Sequence, residues 1–115
     1  MRCRCRIALI LFGSACFAAP PARGHHHELG KVSFPTSCDA AVQAEFETGV
    51  AMLHSYWFNY AGKTFRAVLE KDPACAMAYW GIALDLQGNT LSSPPPGQAA
   101  REAWQVLEKS RGVAV

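Results

Sequence analysis

The chain has 115 residues, half of them hydrophobic, with eleven Lys/Arg against nine Asp/Glu and a formal net charge of +2. That length fits one small globular unit rather than several domains. The balance is too mild, and the aromatic residues too little mixed with basic ones, for a nucleic-acid-binding surface.

Residues 1–18 form the first unit. Arg2, Arg4 and Arg6 precede the apolar run Ile7, Ala8, Leu9, Ile10, Leu11 and Phe12, and small residues follow through Ala15, Cys16 and Ala18. Basic, apolar, then small is the layout of a secretory signal peptide. The apolar part is too short for a permanent bilayer span. A buried N-terminal helix is the other reading, and three arginines in six residues oppose it. Cleavage is expected near Ala18. Lipidation of Cys16 is the lesser alternative, because Gly13 stands where a larger aliphatic residue is usual. The expected location is periplasmic or secreted, with membrane contact only through this signal. Its removal takes three of the eleven Lys/Arg, so eight face nine carboxylates and the net becomes −1.

Residues 19–37 read as an irregular tail, since Pro20, Pro21, Gly24, Gly30 and Pro35 oppose regular structure. Within it, His25, His26, His27 and Glu28 offer imidazole and carboxylate donors suited to Zn(II), Cu(II) or Ni(II). Adjacent histidines on a flexible chain are not a preformed site, and the i, i+4 spacing of a helical zinc motif is missing. A solvated tail and weak metal binding both remain open. No cofactor is expected.

Residues 38–73 read as a first helical hairpin. Asp39 or Ser37 can cap its first helix by accepting from unpaired N–H groups. Val42, Phe46, Gly49, Val50, Leu53 and Trp57 make the apolar stripe. His54 falls near the helix end, a favourable place for a basic group. The aromatic turn at 55–60 is expected to belong mainly to the hairpin core, with a ligand surface as the alternative. Asn59 is the expected cap for the second helix, whose face is Ala61, Phe65, Val68 and Leu69. Pro73 ends it by lacking the N–H that a continuing helix needs.

Residues 74–111 read as a second hairpin. Its first helix, over 76–86, shows Ala76, Tyr79, Trp80, Ala83, Leu84 and Leu86 on its apolar face. A Pro-rich loop spans 87–97, either a solvated insertion or a projection that touches a partner. The last helix, over 98–111, is expected to bury Ala99, Ala103, Trp104, Val106 and Leu107. Residues 112–115 are a short tail.

The hairpins repeat. A shift of 34 places Ala44 on Ala78, Phe46 on Trp80, Gly49 on Ala83, Val50 on Leu84 and Met52 on Leu86. A second comparison pairs Ala61, Phe65 and Val68 with Ala100, Trp104 and Leu107. The first copy supplies Gly49, Ala61, Phe65 and Pro73; the second supplies Tyr79, Ile82, Ala83, Leu86, Ala100 and Trp104. This spacing resembles the tetratricopeptide repeat. The strings LGKVSFPTSC, GVAMLHS and DPACAMAYWGIAL are similar to the N-terminal part of exported bacterial tetratricopeptide-repeat proteins. The resemblance covers about residues 29–111. It implies an all-α, TPR-like α-solenoid of about two repeats, a scaffold that binds another protein or peptide, with no catalytic residues to carry over.

After loss of the signal, only Cys38 and Cys75 remain of five cysteines. They flank the first hairpin, so antiparallel helices put them at one end. An oxidising compartment then favours a disulfide; two buried thiols are the alternative. Catalysis is not expected, because no Ser/His/Asp, Cys/His or paired-carboxylate arrangement can be placed. Stacks of repeats generally need about three units. Two units imply either a truncated array or self-association through the last helix. The leading expectation is a protein- or peptide-binding scaffold of the cell envelope; the alternative is a metal-binding envelope protein that uses His25, His26 and His27.

Overall fold

A computed structural model describes residues 29–92 and 96–113. The expected signal peptide, the histidines at 25–27 with Glu28, and the prolines at 94 and 95 lie outside the described residues. Four helices, α1 (Ala40–His54), α2 (Phe58–Lys71), α3 (Ala76–Gln87) and α4 (Gly97–Arg111), account for all regular structure among the described residues.

Local chemistry sets each boundary. Asp39 caps α1, its Oδ1 accepting the Ala41 N–H at 2.8 Å. The helix closes when the Tyr56 N–H donates to Leu53 O and the Trp57 N–H to Met52 O, at 3.1 and 2.9 Å. Those two bonds make a Schellman motif, with Tyr56 at φ +60° where glycine is usual. This turn admits Trp57 as the N-cap of α2 and leaves Asn59 inside the helix. The expected Asn59 cap is therefore corrected. Asp72, ahead of Pro73, leaves the helical region at φ −133°, ψ 86°. Its Oδ2 accepts the Asp39 N–H at 2.8 Å and its Oδ1 the Ala74 N–H at 3.1 Å, which ties the end of α2 to the start of α1.

Helices α1, α2 and α3 pack antiparallel in succession. Glu45 pairs with Lys71 at 2.6 Å, and Met52 Sδ accepts from the Thr64 hydroxyl at 3.5 Å, so one helix climbs as the other descends. Across α2 and α3, Phe65 meets Gly81 and Gly62 meets Asp85 in the same sense. Helix α4 covers the far side of α3. The core is Phe46, Phe65, Val42, Val50, Val68 and Ile82, joined by small residues at the helix crossings.

Two expectations about burial are corrected. Tyr56 and Tyr60 are 59% and 64% exposed, so half of the aromatic turn faces solvent instead of the core. In α4, Ala103 alone is fully buried, while Ala100 is exposed and Trp104 is 58% exposed. The cause is geometric: α3 covers one side of α4, and among the described residues nothing covers the other.

Candidate functional site

The segment from 29 to 37 is irregular, in keeping with Gly30 and Pro35, yet it is not loose. It runs over the outer faces of α1 and α3, and Val32 and Phe34 pack against the core. The Phe34 ring lies edge-on to Phe46 at 5.6 Å and stacks on Trp80 at 5.8 Å. One helix face therefore contributes from each hairpin.

Two polar side chains hold this segment by its backbone. Gln43 and Glu47 stand four residues apart on α1 and so share a face. Glu47 Oε1 accepts the Phe34 N–H at 3.0 Å, and Gln43 Nε2 donates to Phe34 O at 2.8 Å. A bond of 3.0 Å from Gln43 Nε2 to Glu47 Oε1 orients the pair. Gln43 Oε1 in turn accepts from the Thr36 N–H and hydroxyl, at 3.3 and 2.7 Å. Both hydrogen-bonding groups of one residue are thus satisfied by side chains, independently of that residue's own side chain. The Phe34 N–H, and then the Gln43 amide, hold the Glu47 carboxyl below the usual glutamate range. Clefts open on either side of the clamp. One, of 330 Å³, lies between residues 29–32 and Ala44, Glu47, Thr48 and Ala51. The other, of 360 Å³, is bounded by Pro35, Thr36, Gln43 and Glu47.

Cys38 and Cys75 are joined as a disulfide with their Cα atoms 4.7 Å apart. Asp72 completes a cluster of three metal-type donors with them, but both sulfurs are committed to each other. Gly49, Ala61, Phe65, Ile82 and Ala83 lie in the core. Pro73 is exposed at the α2–α3 turn, where its carbonyl accepts from the Tyr79 hydroxyl at 3.3 Å. Trp80 is half-buried under Phe34, while Ala100 and Trp104 stand apart on the open side of α4. Sequence reasoning missed Gln43 and Glu47. Their only trace is an i, i+4 amide–carboxylate pair on a polar helix face, which is ordinary until an extended segment is seen crossing it.

No family model, curated protein or solved structure matches the chain.

Proposed function

We propose that the chain is a tetratricopeptide-like helical scaffold of the cell envelope that holds an extended peptide segment of another protein across the faces of α1 and α3. The observation that carries this reading is the clamp of Gln43 and Glu47 on both backbone groups of Phe34, beside a ring site made by Phe46 and Trp80. Such a site reads main chain for affinity and one large apolar side chain for selectivity, the usual division of labour in peptide recognition. Residues 29–37 occupy it in cis, and a partner segment of similar pattern takes their place. The export pattern of residues 1–18 and the 34-residue periodicity support the compartment and the repeat identity.

The test uses a labelled peptide of sequence KVSFPT, copied from residues 31–36. Phe34→Ala weakens the internal occupant, so that variant is expected to bind the peptide by fluorescence anisotropy more tightly than the wild-type chain does. Adding Gln43→Ala and Glu47→Ala abolishes the signal. Absence of binding to Phe34→Ala, with its helical content intact, overturns the reading.

A further inference from the structure

Three of the four large hydrophobic side chains that stand exposed among the described residues gather at one end of the molecule: Tyr56, Tyr60 and Leu91, the last 86% exposed. Two separate connections supply them. Tyr56 and Tyr60 come from the α1–α2 turn and Leu91 from the segment after α3; the contact of Asp85 with Gly62 sets the end of α3 beside the start of α2. Within the turn, Tyr56 meets Phe58 at 6.0 Å and Trp57 meets Tyr60 at 6.1 Å, around an open cleft of 490 Å³. Tyr56 keeps a left-handed backbone that glycine would adopt without strain.

Charge is divided along the same axis. No Asp or Glu occurs between Thr48 and Leu69, where Lys63 and Arg66 stand, or between Leu86 and Arg101. Lys63 Nζ lies 5.9 Å over the Tyr60 ring. Asp85 is turned onto Gly62, and Glu102 follows on α4. By contrast Asp39, Glu45, Glu70 and Asp72 lie toward the disulfide end, where Lys71, paired with Glu45, is the cation among them.

We propose that this end docks on a bilayer surface bearing anionic headgroups, with Tyr56, Tyr60 and Leu91 in the interfacial zone and Lys63 and Arg101 facing the headgroups, while Arg66 stays beside Asp85. Tyrosine and tryptophan have apolar bodies and polar tips suited to that zone, and lysine can lay its stem along apolar surface while its ammonium stays in water. A peptide groove would draw its contacts from a helix face, as the Phe34 clamp does; here the apolar groups project from two turns at a tip. The inference departs from the expectation that only the signal peptide touches a membrane, and it is independent of the peptide-binding reading.

Flotation of the full-length chain with phosphatidylcholine vesicles containing about a quarter phosphatidylglycerol tests it. Residues 1–18 are common to all variants, so their own affinity for lipid enters each measurement equally. Tyr56→Asn, Tyr60→Ser and Leu91→Ser together are expected to lower partitioning about tenfold with unchanged circular dichroism. Lys63→Glu lowers binding to the anionic vesicles and leaves binding to pure phosphatidylcholine unchanged. The deciding readout is local. With Trp80→Phe and Trp104→Phe in place, Trp57 is expected to be quenched by lipids brominated on the acyl chain; with Trp104 as the sole tryptophan, quenching is absent. Vesicle-bound protein whose Trp57 is unquenched overturns the proposal, as does a chain that ignores vesicles and instead shifts its Trp57 emission with a soluble polyproline peptide.

Discussion

A β-carbon added at Gly49 of α1 would stand 2.8 Å from the Phe65 ring, and one at Gly81 of α3 would stand 2.6 Å from it. Phe65 on α2 is thus received between two bare backbones, and its ring sets the separation of three helices. Real β-carbons do not tolerate such distances, so Gly81→Ala must displace either the ring or a helix. We expect a loss of about 1–3 kcal/mol in urea unfolding, the usual cost of overpacking. Phe65→Ala, which empties the same place, should cost about 3–5 kcal/mol. The two changes should be non-additive, because removing the ring removes the clash. Half of this arrangement was legible beforehand. The 34-residue periodicity singles out Gly49 and Phe65, but it aligns Gly49 with Ala83. Gly81 becomes recognisable only once the rotation of α3 about its own axis is known, and tertiary packing fixes that rotation.

At the scale of elements, four helices and their breaks at Pro73 and Pro96 follow from periodicity and from what proline cannot do. Burial followed less well. Helix α3 is apolar on nearly every side because α2 and α4 flank it, so no single stripe describes it. Asp85 is its one charged residue, pressed against Gly62. Its Oδ1 is buried without a hydrogen-bond partner. Burial raises its carboxyl above the ordinary aspartate range, partly offset by the Arg66 charge and the Gly62 N–H. A raised folded-state value means that the folded chain holds this proton more tightly than the unfolded chain. The group therefore favours folding at low pH, and that contribution is lost as pH rises through its folded value. Asp85→Asn keeps the shape and removes the charge. The variant should melt above the wild-type chain at neutral pH, and the difference should vanish below about pH 4. A gap that persists in acid would assign the effect to packing.

For the molecule as a whole, the clamp escaped sequence reading, and the aromatic tip was legible only as the ligand-surface alternative for residues 55–60, for a shared reason. Each is assembled by segments whose meeting depends on the completed fold: residues 29–37 returning over α1 and α3, and two connections converging where α3 ends beside the start of α2. The cysteine pair was more accessible, because antiparallel geometry alone puts Cys38 and Cys75 at one end. That bridge spans a sequence separation of 37 and encloses α1 and α2, while α4 lies outside the closed loop. Loop-closure entropy makes it worth about 4 kcal/mol. Cys38→Ser with Cys75→Ser should lower the unfolding free energy by about that amount. The loss should also be uneven. Among the described residues, helix α4 buries one residue fully and is covered by α3 alone, so its amides are expected to exchange largely through its own opening rather than through global unfolding. Hydrogen exchange should therefore accelerate strongly in α1 and α2 when the bridge is removed and change little in α4. Equal acceleration in all four helices would mean that α4 unfolds only with the rest, and the picture of a braced first hairpin carrying a lightly held last helix would have to be abandoned.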